Sequence, residues 1–317
     1  MNFIKKNIHL IILAAILVIF NCITLLYYNM SISGTNGSYI YPLDDVYIHL
    51  SIAKNFALNN TWGVSATEFC STSSSPIYTY VLSCLIKFFG LSESYPLIFN
   101  FIFSNLLFIV IYKFFKNNVL KLLAMSTFLI TPTLLHVQVL SGMEHVLQIF
   151  LVLSTFCVLY AMNNGNKTKY SNYLYYGLIA LLCLTRFEGM FFLSAIIFAT
   201  FINKDYKRAA LTAIVGFLPV VLFGIFSISH GGYFFPNSLM IKGNIHNNDI
   251  MTALTRYARV LVKNLYPLHI SIPMLIIVLI GAYQYKFAHG KLSFAKLYDF
   301  LRDKQHVIIL FVTLILH

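Results

Sequence analysis

Four short stretches of this chain carry residue types that could do chemistry. The first is Tyr41-Pro42-Leu43-Asp44-Asp45-Val46-Tyr47-Ile48-His49, with two adjacent carboxylates and a histidine one helical turn beyond them. A carboxylate can serve as a general base, and two side by side also suit a divalent cation. The structural alternative is an N-cap with a favourable dipole charge for a helix beginning near Val46. The second stretch is Ser141-Gly142-Met143-Glu144-His145. Its spacing also fits a capping box, with Ser141 as cap and Glu144 closing it. The third is Thr185-Arg186-Phe187-Glu188-Gly189. The planar fork of Arg186 suits phosphate, while an Arg186–Glu188 ion pair would lock a helical hairpin. The fourth is Phe235-Pro236-Asn237-Ser238-Leu239-Met240-Ile241-Lys242, in which Lys242 could hold a phosphate as a point charge. Arg256, Arg259 and Lys263 follow at helical spacing, and a solvated helix on anionic headgroups accounts for them best.

The elements that must position these groups are apolar. Of 317 residues 59% are hydrophobic and 10% charged, too few charges to cover a soluble surface. The apolar runs are continuous rather than alternating, which excludes a membrane β-barrel. The expected fold is an all-α polytopic membrane protein. Complete spans are read at 8–28, 94–115, 119–139, 145–163, 172–185, 188–203, 208–228 and 267–285, and a last run starts near 306 and stops at His317. The first run has Lys5 and Lys6 before it and no small-residue cleavage site after it, so it reads as an uncleaved helix with a cytoplasmic N-terminus.

Alternating the sides puts most of the 22 basic residues in cytoplasmic segments, among them Lys113, Lys116, Lys121, Lys167, Lys169, Lys204, Lys207 and Arg208. Asp44, Asp45, Glu68, Glu93, Glu144, Glu188 and Asp249 fall on the other side. That is the positive-inside pattern, and it explains the net charge of +12 without nucleic acid. Pro76 to Gly90 is short for a span, and counting it as one would move the Lys113–Lys121 cluster outside. It is read as an interfacial helix within a long first outer loop, 29–93, and a second outer loop covers 229–266. The Ser71-Thr72-Ser73-Ser74-Ser75-Pro76 run reads as a loop before that helix. His136, His230, His246 and His269 show no ligand spacing, and there is neither a Walker loop nor a GxGxxG.

Taken in order, the four stretches resemble motifs of the GT-C superfamily of integral-membrane glycosyltransferases, in particular the bacterial branch that includes mycobacterial terminal arabinofuranosyltransferases. The matching residues are Asp44-Asp45-Val46-Tyr47-Ile48, Ala53, Asn55, Trp62-Gly63, Ser74-Ser75-Pro76, Ser141 to Glu144, Thr185 to Gly189 and Pro236 to Lys242. The likeness covers roughly residues 1–245. It departs at Phe187, where that branch has proline, and in the early end of the chain, so further C-terminal helices or an outer domain are expected.

The resemblance implies one GT-C-like module over residues 1–317 in a bacterial plasma membrane. It implies transfer of a sugar from a polyprenyl-phosphate donor to an acceptor hydroxyl on a glycan, lipid or protein at the outer face. Asp44 would be the base, with Asp45 assisting or binding a divalent cation; no other cofactor is implied. Arg186 and Lys242 would stabilise the leaving phosphate. His49, Glu144, Glu188 and Asn237 complete the expected substrate site. A transporter or lipid-linked-saccharide flippase is the alternative, since it too needs many spans and costly charges near the bilayer. The charges cluster at predicted helix ends rather than near the midplane, which favours the enzyme.

Overall fold

A computed structural model of the chain describes residues 2–115, 117–166, 168–237 and 309, with side chains from residue 8 onward. Lys242, the helix carrying Arg256, Arg259 and Lys263, the span at 267–285 and the run after 306 lie outside the described residues.

Ten helices and no strand occur among the described residues: α1 (Asn2–Ser33), α2 (Asp45–Asn59), α3 (Pro76–Phe89), α4 (Tyr95–Phe115), α5 (Val119–Ile130), α6 (Leu135–Ser141), α7 (His145–Asn163), α8 (Ser171–Thr185), α9 (Gly189–Ile202) and α10 (Tyr206–Ser229). Four are long and apolar enough to cross a bilayer: α1, from Ile8 on, α4, α7 and α10. This is a helical protein suited to a membrane.

The run read as one span at 119–139 is two helices, α5 and α6, bent by 44°. Pro132 explains the break. It has no N–H to donate to the helix ladder, although Thr131 before it keeps helical backbone (φ −94°, ψ −66°). Leu134 then takes a left-handed conformation (φ 48°) before α6 begins. α8 and α9, also read as spans, have 15 and 14 residues, about 21–23 Å of helix against roughly 30 Å of hydrocarbon. The intervening turn shortens both.

α3 starts with Pro76 at its first position and ends at Gly90. It buries Tyr78, Thr79, Leu82, Ser83 and Ile86, while Phe88 and Phe89 lie exposed on its other side. At 14 residues it is too short to cross. It packs mainly on α2, and also on α8.

One apolar cluster joins α3, α7, α8 and α9 through Leu82, Leu151, Tyr175, Ile179, Leu193 and Ile196. A second joins α1, α4, α5, α6 and α7 through Phe20, Phe108, Leu122, Leu135 and Val146. Such burial is worth about 1.5–3 kcal/mol per large side chain relative to exposure in water. α7 belongs to both clusters, so its N-terminus is held firmly. Tyr41, Val46 and Met143 form a small third cluster between the start of α2 and that terminus.

Candidate functional site

The Ser141–Glu144 turn is built to place one carboxylate. α6 ends at Gly142, which has φ +73°. A Cβ there would stand 2.4 Å from the Tyr41 ring and 3.2 Å from Val46, so both the backbone conformation and the close approach require glycine. Three carbonyls of the turn are captured by side chains from other elements. Tyr39 Oη donates to Leu140 O, Tyr78 Oη to Gly142 O at 2.6 Å, and Asn100 Nδ2 to Met143 O at 2.8 Å. The capping-box expectation is not met. Glu144 is the N-cap of α7 yet its side chain makes no cap bond, and Ser141 Oγ donates to Gln138 O while accepting from the Met143 N–H. The Glu144 carboxylate has better partners elsewhere.

Those partners come from the α8–α9 turn. α8 stops at Thr185 because Arg186 turns extended (φ −153°, ψ 136°). A Cβ on Gly189 would lie 2.7 Å from Leu182 O and 3.0 Å from Gln148 Nε2, so glycine lets α9 start tight against α8 and α7. Arg186 then reaches three groups. Nη1 donates to Glu144 Oε1 and to His145 Nδ1, both at 2.7 Å, and Nη2 donates to Glu188 Oε1 at 2.8 Å. Arg186 is 23% exposed and Glu188 33%, whereas Glu144 is fully buried.

The segment from α2 to α3 supplies the other flank of Glu144. His49 lies four residues after Asp45, hence on the same face of α2. Its Nε2 faces Glu144 Oε2 at 3.5 Å, at the outer limit of hydrogen-bond reach, and neither atom has another hydrogen-bond partner among the described residues. On its other side, His49 Nδ1 meets Ser73 Oγ at 3.1 Å and Thr79 Oγ1 at 3.0 Å, and the two hydroxyls are 2.8 Å apart. Sequence reasoning passed over Ser73 and Thr79. No sequence signal marks them: residues 71–75 read Ser-Thr-Ser-Ser-Ser, and only the fold buries Ser71, Ser73 and Ser75.

Burial alone would raise the Glu144 carboxyl. The facing His49 and the Arg186 guanidinium outweigh it and hold that group down at about 2. Glu188 is also resisted by burial and is lowered by its bond to Arg186. Burial would depress Arg186, but Glu188 and Glu144 raise it. All three are charged at neutral pH.

Asp44 is the N-cap of α2, again without a side-chain cap bond, and is exposed. Asp45 is half-buried in the first turn, and its charge acts on His145 across the site. Asn55, from the same motif, has a structural role: its Nδ2 donates to Gly63 O at 2.9 Å and Val64 O at 2.8 Å, tying the loop back to α2. The Asn237 N–H donates to Ser71 O at 2.8 Å, and Phe235 packs edge-on against Phe187, so the 235–237 segment is fastened to the serine run and to the third stretch. Among the described residues no group of three or more His, Cys, Asp or Glu is arranged as a metal site.

Residues far apart in sequence thus meet at one end of the helices: Glu144, Arg186 and Glu188 by direct bonds, His49 by contact, Asp45 by its field. No family model, characterised protein or solved structure matches this chain. The geometry therefore has to carry the reading. His49 and Glu144, expected to touch substrate, are 2% and 0% exposed. Their polar side-chain contacts as placed are with Arg186, Ser73, Thr79 and each other. The groups that reach the surface are Asp44, Asp45, Glu188, the edge of Arg186 and His145.

Proposed function

We propose that the chain is a GT-C-like glycosyltransferase that moves a sugar from a polyprenyl-phosphate donor to an acceptor hydroxyl at the outer face of a bacterial plasma membrane. The observation that carries this reading is the convergence of the Asp44–His49, Ser141–Glu144 and Thr185–Gly189 stretches on one charged centre at helix ends. In this reading Asp44, exposed at the α2 terminus, takes the proton of the acceptor hydroxyl as the oxygen attacks the anomeric carbon. The bond from that carbon to the phosphate oxygen breaks, and the polyprenyl phosphate leaves with the electron pair. Lys242, following the strap fastened at Asn237, neutralises it. Arg186 is held by Glu144 and Glu188 and lines the sugar side. A divalent cation at Asp44 and Asp45 belongs to the same reading, and chelation tests it.

The 44° break between α5 and α6 is the feature a transporter would share. Its residues, Thr131, Pro132, Thr133 and Leu134, carry no charge; His136 follows the break inside α6, and Glu144, Arg186 and Glu188 come after the end of α6. That distribution favours the enzyme.

The test is release of polyprenyl phosphate from a panel of polyprenyl-phosphate sugars, with the protein in nanodiscs and acceptor glycans present. Release from one donor, abolished in Asp44→Asn while the protein stays folded, is the expected result. Equal turnover by Asp44→Asn would remove the base assignment, and no turnover together with no donor binding would favour transport.

A further inference from the structure

His145 follows Glu144 in the second motif and has no role so far. Arg186 Nη1 lies 2.7 Å from its Nδ1. A guanidinium has donors only, so Nδ1 must be the acceptor and carries no proton. An imidazolium would set one N–H against another here. The ring is therefore neutral, with its proton on Nε2. Nε2 lies on the far side of the ring from Nδ1, so its N–H points away from Arg186. His145 is only partly buried. The charged groups that act on it are Arg186 and Glu188 from the α8–α9 turn, Glu144 beside it, and Asp45 from α2.

The surroundings select what that N–H would meet. Among the described residues the centre has the carboxylates of Glu144, Glu188 and Asp45 against the single guanidinium of Arg186, whose two Nη atoms already bond Glu144, Glu188 and His145. A net-negative centre repels a phosphate dianion. Carboxylates that accept from O–H groups, beside a neutral N–H that donates to an oxygen, suit the hydroxyls of a sugar. We propose that His145 is a substrate-binding residue, a fixed Nε2–H donor held by Arg186 and offered to a hydroxyl oxygen of a sugar lying against Asp45 and Glu188. The sugar rests on the glycosyltransferase reading above; the fixed donor does not.

The first arm of the test uses no substrate. The protein is labelled with 15N-histidine and placed in nanodiscs at pH 7.5, and His145 is identified by the signals lost in His145→Gln. The expected spectrum shows the Nε2–H tautomer, and Arg186→Lys, which loses the planar fork, allows both tautomers. An Nδ1–H tautomer or an imidazolium in the wild type overturns the fixed donor.

The second arm measures turnover of the lipid-linked sugar. His145→Ala raises KM about tenfold, the scale of one hydrogen bond, and His145→Gln, whose amide can also donate, recovers much of it. Inhibition by sugar-free polyprenyl phosphate stays unchanged in His145→Ala. An unchanged KM overturns the substrate contact, and weakened inhibition by polyprenyl phosphate moves the contact from sugar to phosphate and overturns the sugar assignment. If the wild type turns over no donor, the glycosyltransferase reading fails and takes the sugar with it. The tautomer then still upholds or overturns the fixed donor.

Discussion

The two ends of α7 each carry an arginine cluster built from similar parts. At the His145 end, Arg186 pairs with Glu144 and Glu188. At the Asn163 end, Arg208 pairs with Asp205 at 3.2 Å and donates to Asn163 Oδ1 at 2.9 Å. The difference is solvent. Asp205 is 41% exposed and caps α10 by accepting from the Arg208 N–H, as a helix start ordinarily does. Glu144 is fully buried, makes no cap bond, and depends on groups from two other segments. Water can replace any partner of Asp205, whereas the buried Glu144 depends on His49 and Arg186. A buried charge that depends on partners from distant segments marks a centre where position matters more than stability.

The sharpest way to break this comparison is to remove each arginine. Arg186→Met leaves Glu144 buried and unpaired and is expected to cost about 3–5 kcal/mol, while Arg208→Met is expected to cost under about 1 kcal/mol. Thermal unfolding in one detergent measures both, and similar losses would mean the two clusters are equivalent.

Acid offers a second probe. The Glu144 carboxyl is lowered in the folded chain from 4.5 to about 2, so its ionised form stabilises the fold. That contribution is complete above about pH 4.5 and is lost as the pH falls towards 2, a change on the order of 3 kcal/mol. The stability gap between the wild type and Glu144→Gln should therefore narrow over that window, and a gap independent of pH would remove the ion-pair account.

A third comparison uses glycine. Gly142 and Gly165 both have positive φ, but a Cβ at Gly142 meets Tyr41 whereas one at Gly165 meets nothing within 4 Å. Gly142→Ala should cost about 1–3 kcal/mol more than Gly165→Ala, the price of overpacking, and should also displace Glu144, seen as lost turnover. Equal costs would show that only backbone strain matters there. The smallest effect is expected for Asp205→Ala, about 1 kcal/mol for a lost cap, with turnover unchanged.

Some of this was legible without coordinates. The long apolar runs around α1, α4, α7 and α10 are long enough to cross a bilayer, and α3 is too short. Local signals misled where distant residues competed with them. The Ser141–Glu144 spacing fits a capping box, yet Glu144 turns to Arg186 because a charged bond in a dry site outweighs a cap. The run at 119–139 is long and apolar enough to cross as a whole, but as two helices bent by 44° rather than one straight helix. The serine run is the loop before α3 that its composition suggests, and packing adds that Ser73 lies against His49.

Helical membrane character can be read from composition and run length, which are properties of the chain alone, and so can the stretches that hold ionisable residues. Which of those residues meet is settled by packing. His49, Glu144 and Arg186 are separated by 95 and 42 positions, and no local rule links such distances. Which carboxylate is buried, which guanidinium holds it and which imidazole edge faces outward follow from how α2, α7 and the α8–α9 turn pack, since burial and charge pairing depend on neighbours that the linear order does not name.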